Sequence, residues 1–485
     1  MQKIQLHSKY NPRKEAAQFA DTITGDPQVI VITEPGESYL ADALREKYPQ
    51  ARLIALRYTD SLFAESDTVW DAVWRPSMGS LAFFLIRCIP DEFLSTAKFL
   101  PWKAADRVFP EQAAAVWKEL QHGIEILKSV MCTRAFFGKR WLINSVKNVL
   151  TIQNPVLPYF GDSDVILTGA GPGLQYLHAE SANGFSVAAV ASAYRALQYR
   201  NIHPHVCIST DAGYWAKRHF DTLPSNIPVA FPLEAALPFQ ITEHNPCIML
   251  TYGSPLEQQL FLLSGTAATA ASENGTVTGT AVDLLAAHTQ SRIILAGVDL
   301  SCSKGFTHAQ PHSSLLHCAD TITRLKPLAG ILATQNRQAA VLETYRQWFL
   351  QLPQATTKRL YRLGGGAALP NIKHFDTLAD IPCSGSSVFS VQPAQILPQA
   401  VRKKRLRLFL SETLDKVKEG IANNTPQLFS GRSINSSVEK QICLLSAYSS
   451  YIQLMKNQDS AELRRKLTEE VSLVVSQLIR GIAAI

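Results

Sequence analysis

The sequence predicts an α/β protein, with a Rossmann-like parallel sheet in the central part of the chain, a small α/β domain ahead of it and an α-helical domain behind it. Three observations predict this. At 485 residues the chain exceeds what one ordinary core holds, so roughly two or three domains are expected. Between residues 164 and 296, short runs that are apolar at every position alternate with helix-length segments, the pattern of a parallel sheet covered on both faces. Beyond residue 398 apolar residues recur at helical spacing to the end.

In chain order, Asn11 and Pro12 are a cap and first residue of a helix. A β-branched strand follows at 29–32, a turn at 34–38, a helix at 39–47 and a strand at 52–56, which together make one βαβ unit. Its turn carries Gly36 as its only glycine and two glutamates, Glu34 and Glu37, which would repel a phosphate. Trp70, Trp74, Phe83, Phe84 and Leu85 read as core. Residues 110–151 have few helix breakers and keep Val116, Leu120, Ile124 and Leu127 on one face, so they read as a helical connector. The expected segments are therefore 1–109, 110–151, 152–385 and 386–485.

The central segment opens on 164–174, a buried strand that runs into Gly169-Ala170-Gly171-Pro172-Gly173-Leu174. Closely spaced glycines let backbone approach a ligand, and a helix after the turn would offer N–H groups to an anion. The spacing is not the dinucleotide fingerprint G-x-G-x-x-G, and a plain strand-to-helix turn is the alternative. Strands are expected at 186–190, 205–209, 229–231, 248–252 and 292–296, and helices at 192–200, 214–220 and 276–288.

Ligands of such sheets bind beyond the C-terminal strand ends. There the sequence places Ser192, Asp211 after Ser209-Thr210, Asp299 after Gly297-Val298, and then Thr307-His308. Asn274-Gly275-Thr276 opens a helix as a second anion site, with Asn or Thr as cap. Asp211 and Asp299 are either helix caps or site residues, and a lone histidine is more often structural than catalytic. Their shared sheet edge favours a site.

Residues 382–398 read by composition as a Ser/Pro-rich linker. The basic run 401–407 opens a helix and reads as a solvated face. The stripes Ile442, Leu445, Tyr448, Ile452 and Leu463, Leu467, Val471, Val474, Leu478 suit acceptor docking or self-association into a homo-oligomer.

With 46% hydrophobic and 18% charged residues the chain is globular, not disordered. A net charge of +7 suits an anionic ligand such as a nucleotide but lacks the clustered footprint of a nucleic-acid binder. The eight cysteines form no C-x-x-C pair, which points to reduced thiols and to no metal site. The first ten residues lack a signal-peptide core and no run approaches a membrane span, so a cytoplasmic location is expected.

The ordered set Gly169 to Leu174, Ala191-Ser192, Ile202-His203-Pro204, Ser209-Thr210-Asp211, Asn274-Gly275-Thr276-Val277, Gly297-Val298-Asp299-Leu300 and Thr307-His308-Ala309 resembles the motility-associated factor (Maf) glycosyltransferases. The opening His7 to Ala16 is similar to that family's N-terminal domain, and Gly364-Gly365-Gly366-Ala367 stands where the family has Glu-Gly-Gly-Ala. Gly173 likewise stands where it has serine.

The resemblance implies transfer of a nonulosonic (sialic-like) sugar from a CMP-activated donor to Ser or Thr of flagellin, with a central domain similar to bacterial sialyltransferases. By position, Gly169, Ala170, Gly171, Pro172, Gly173 and Leu174 would hold the cytidine nucleotide together with Ser192, Asn274, Gly275 and Thr276. The same domain is similar to the archaeal 6-hydroxymethylpterin pyrophosphokinase family, so a Mg²⁺- and ATP-dependent enzyme is one alternative, with Asp211 and Asp299 on the metal. A non-catalytic nucleotide-binding flagellar assembly factor is another.

For glycosyl transfer, direct inverting displacement is expected, with His308 as general base because an imidazole pKa of about 6.5 suits proton removal near neutrality. His178, His312 and His317 compete for that role. Asp211 and Asp299 would contact ribose or acceptor, or orient His308. Backbone N–H groups of the glycine turn and of Asn274 to Thr276 would hold the leaving phosphate.

Overall fold

The computed structural model describes residues 4–484 apart from 304–305, 314, 316–321, 331–338, 386–387, 425–436 and 457–459. The chain forms two compact units, Met1–Lys139 with Ser411–Ser476, and Arg140–Leu410 with Gln477–Ile485.

In the first unit β1 (Val29–Thr33), β2 (Arg52–Leu56), β3 (Ala72–Trp74) and β4 (Lys98–Pro101) form a parallel sheet in the order β3-β2-β1-β4. Every residue of β1 and β2 is buried, as their apolar runs require. Helix Pro12–Asp21 starts as predicted, with Asn11 Oδ1 accepting from the Lys14 N–H at 2.9 Å. Trp70, Trp74 and Leu85 lie in the core.

The turn after β1 holds its own ion pair. Glu34 is buried and meets the equally buried Arg57 at 2.9 Å, while Arg57 also donates to the Gly36 carbonyl at 2.7 Å and to Ser66 Oγ at 2.9 Å. Glu34 thus turns inward as the counter-charge of Arg57.

The C-terminal helices are not a domain of their own, since residues 411–476 cluster with the N-terminal sheet. Helix Val438–Met455 packs on the turn Asp91–Phe93, where Lys440 pairs with buried Glu92 and Tyr448 donates to Asp91 Oδ2 at 3.1 Å. Two buried acids need partners: this helix supplies the cation for Glu92 and a hydroxyl for Asp91, while Arg134 meets Asp91 Oδ1 at 2.6 Å. The predicted connector is a single long helix, Pro110–Thr151, whose residues up to Lys139 belong to the first unit and the rest to the second. The basic run lies on helix Gln399–Asn423, with Lys404, Arg405 and Arg407 exposed but Arg402 buried, donating to the Val149 carbonyl at 2.5 Å.

The second unit begins with β5 (Val156–Tyr159) and continues through β6 (Val165–Thr168), β7 (Ser186–Val190), β8 (Val206–Ile208), β9 (Val229–Pro232), β10 (Cys247–Thr251), β11 (Thr269–Ala270), β12 (Ile293–Ala296), β13 (Leu360–Leu363), β14 (Lys373–Phe375) and β15 (Ser390–Pro393). Nine of these form one all-parallel sheet in the order β11-β10-β9-β8-β7-β6-β12-β13-β14. β15 pairs antiparallel with β5, so the stretch read as a linker contains a strand. Serines and prolines there masked the extended Ser-Val-Gln-Pro segment.

The strand order reverses between β6 and β12, which are neighbours although β7 to β11 intervene in sequence. Their C-terminal ends, the Gly169 turn and the Gly297 loop, therefore border the crevice where ligands of open α/β sheets bind.

Candidate active site

Residue Gly297 has φ +65° and its loop packs on the Gly169 turn so closely that a Cβ at Gly169 would lie 2.5 Å from the Gly297 carbonyl. The Gly171 N–H donates to that carbonyl at 2.7 Å and the Gly169 N–H to the Ala296 carbonyl at 2.8 Å. Asp299, 6% exposed, then enters the turn, and its Oδ2 accepts the Gly173 N–H at 2.8 Å. Cβ atoms at Gly171 and Gly173 would stand 2.1 and 2.3 Å from its carboxylate oxygens. The glycines make room for Asp299.

This corrects the expected phosphate cradle. The N–H groups of Gly169, Gly171, Gly173 and Leu174 are all bonded within the protein. No α-helix follows the turn either, since Pro172–Tyr176 is a short 3₁₀ helix with no run of free N–H groups to offer. Pro172 accounts for that break.

On its other side Asp299 is held by β13 and the loop after it. Its carbonyl accepts from Arg362 Nη2 at 3.1 Å and from the Ala367 N–H at 2.8 Å. Burial pushes the Asp299 carboxyl above the usual range, against the Gly173 N–H and the Arg362 charge. Gly364 has φ +79° and a Cβ there would meet the Tyr176 ring at 2.4 Å, so this backbone leaves no room for the glutamate of the resembling family.

His308 is tied to the same turn, because the next residue, Ala309, donates its N–H to the Ala170 carbonyl at 2.7 Å. The His308 ring stacks on His312 with centroids 4.2 Å apart, and His219 lies 5.5 Å from His312. Burial lowers the pKa of His308, and neighbouring His219 lowers it further. His312 falls to about 3 for the same reasons. Both rings are neutral near pH 7. Thr307 Oγ1 lies 2.9 Å from His308 Nδ1; among the described residues no hydrogen bond links His308 to Asp211 or Asp299, so Thr307 and not an aspartate orients it.

Asp211 is exposed and its Oδ1 accepts the Gly213 N–H at 2.6 Å, an Asx-type turn. Its charge reaches His219 and opposes the lowering of that histidine by burial. His219 sits on the 3₁₀ helix Tyr214–Phe220, with Nδ1 at 2.7 Å from Ser313 Oγ. Sequence reading missed it. The available signal was its position on the helix just after Asp211.

Ser192 lies half-buried in the 3₁₀ turn Ala191–Ala193 that ends β7. Thr276, not Asn274, caps helix Val277–His288, with Oγ1 accepting from Gly279 N–H at 2.8 Å. Because this helix leads directly into β12, its N-terminal end with Asn274, Gly275 and Thr276 lies at the edge where β12 ends. Among the other histidines, His178 is exposed, and His317 lies outside the described residues.

Residues 139–305 match the family described as 6-hydroxymethylpterin diphosphokinase MptE-like. An uncharacterized protein of Treponema pallidum (strain Nichols) is 34% identical over 398 residues, spanning 81% of this chain and 88% of that protein. The chain belongs to the family of that Treponema protein. Among solved structures, the Maf glycosyltransferase of Magnetospirillum magneticum AMB-1 superposes with a TM-score of 0.52 at 10% identity, covering 99% of this chain and 89% of that one. The fold is the Maf fold, with an MptE-like domain at its centre.

Within the MptE-like domain lie the Gly169 turn, Ser192, Asp211, His219, Asn274 and Asp299. His308 and Arg362 follow it in sequence. No helix among the described residues of this Maf-fold chain is long and apolar enough to cross a membrane.

Proposed function

We propose that the protein is a glycosyltransferase that moves a nonulosonic (sialic-like) sugar from a CMP-activated donor to Ser or Thr hydroxyls of flagellin by inverting displacement. The observation that carries this reading is the meeting of the His308 loop with the Gly169 turn and Asp299 at the switch point between β6 and β12, on a Maf fold.

In the tautomer that donates from Nδ1 to Thr307 Oγ1, His308 presents a basic Nε2. The acceptor hydroxyl oxygen attacks the anomeric carbon as the bond to the CMP phosphate breaks. The electron pair leaves with the phosphate and the hydroxyl proton passes to His308 Nε2. Asp211 borders the acceptor side through His219, and Asp299 fixes the shape of the glycine turn that faces the nucleotide. Asn274, Gly275, Thr276 and Ser192 line the donor side of the same edge.

Intact-mass analysis of flagellin from cells with and without the protein tests this. A sugar-sized increment that disappears with the protein supports it, and identical masses overturn it.

The match to the MptE-like family favours one second reading, a pyrophosphoryl transfer that uses ATP and Mg²⁺. Activity abolished by EDTA and dependent on ATP supports that reading over glycosyl transfer.

A further inference from the structure

A carboxylate with no cation beside it among the described residues lies under the loop that opens helix Val277–His288. Asp283 is half-buried on that helix, and Asn274 Nδ2 donates to its Oδ2 at 3.0 Å. One turn earlier on the same face stands Gly279, where a Cβ would be only 1.8 Å from Asn274 Oδ1. The two positions, four residues apart, form a slot that takes the Asn274 amide edge-on. Thr276 Oγ1 closes the slot, 3.5 Å from Asn274 Oδ1 and bonded to the Gly279 N–H.

Helix capping alone needs only Thr276, so the Asn274–Asp283 pair is an additional device. A half-buried carboxylate costs stability unless it is paired, and here its partner is a loop amide at the sheet edge that holds the site. We propose that Asp283 is a positioning residue: it holds the Asn274 amide in one orientation so that the remaining Nδ2 hydrogen faces the nucleotide, and it acts through Asn274 without touching the ligand itself. This rests on the reading of Asn274 as a nucleotide-binding residue.

Burial raises the Asp283 carboxyl to about 6, opposed by the Asn274 bond. The strands packed against this helix, β7 and β12, carry no charged side chain. Arg359 bonds carbonyls at the helix's far end, those of Ala286 and Thr289. Glu273, next to Asn274, acts on Tyr252. Asp283 therefore answers to burial and to Asn274. The ionised carboxylate is the stronger acceptor for the amide, so positioning is half lost near pH 6 and fades further as the remaining groups protonate below it.

The test is calorimetric binding of CMP to the full chain between pH 5 and 8. For wild type, Kd is flat above about pH 7 and rises toward about tenfold as Asp283 becomes fully protonated, the size expected for losing one charge-assisted hydrogen bond. Asp283→Asn keeps an acceptor oxygen without a titrating group, so the acid-side weakening disappears. Asp283→Ala weakens CMP at every pH while thermal unfolding checks that it is folded. A merely structural Asp283 would leave the pH profile of Asp283→Asn identical to wild type, and that result overturns the proposal. Wild type that fails to bind CMP at pH 7.5 overturns instead the nucleotide reading of Asn274.

Discussion

The carboxylate of Asp299 occupies the hollow left by the missing side chain of Gly173, bonded to its N–H at 2.8 Å. A Cβ at 173 would fall 2.3 Å from Asp299 Oδ1. Gly173→Ala therefore loses about 1–3 kcal/mol in urea unfolding, the range for overpacking a filled site. Combined with Asp299→Gly, its additional cost shrinks, because the two residues share one space. Strict additivity in the double mutant would sink this account.

His308→Ala lowers kcat about 10²- to 10⁴-fold, the usual contribution of a general base, without changing the affinity for CMP. Burial holds the wild-type imidazole below its ordinary pKa, so it is already basic at mildly acidic pH. The acid limb of kcat consequently has its midpoint below about 6.5, the ordinary value for histidine. A pH–rate profile that still climbs steeply between pH 7 and 8 contradicts the assignment.

Asp211→Asn moves the His219 titration to lower pH. A nearby negative charge favours the imidazolium, and Asp211 supplies part of that field against the lowering by burial. Asparagine keeps an oxygen for the Gly213 N–H, so the turn survives. Histidine titration followed by NMR reads the shift directly, and an unchanged midpoint would remove Asp211 from the cluster.

Arg57→Met destabilises the first unit by about 3–5 kcal/mol, because it strands a buried carboxylate. Both Arg57 and Glu34 are essentially solvent-free at a separation of 2.9 Å. The double variant Arg57→Met with Glu34→Gln recovers part of the loss. Equilibrium denaturation of wild type and the two variants gives the comparison, and equal stability of the single and double variants would argue against the pair.

Much of the architecture was legible because parallel strands buried on both faces leave unbroken apolar runs, as at Val165–Thr168 and Ile293–Ala296. The short edge strands Thr269–Ala270, Lys373–Phe375 and Ser390–Pro393 were not, since an edge strand of two to four residues carries no run to detect. The glycine turn was legible as a close approach, but glycine does not say what approaches. A ligand phosphate and the Asp299 side chain leave the same mark on the sequence. His219 escaped because its hydrogen-bond partner Ser313 is brought to it by the fold and not by sequence spacing, although Asp211 stands close before it in the chain.

The strand order has a consequence for how the molecule is made. The bond from Gly173 to Asp299 spans 126 residues, and β6 gains its second neighbour only when β12 arrives. On the ribosome, the glycine turn emerges long before the segment that completes it. Until then Val165, Ile166 and Leu167 form an unpaired strand edge whose free backbone N–H and C=O groups are open to other nascent chains. The site thus closes well after its first half has been made, and the chain is exposed to misassembly while it waits for Asp299.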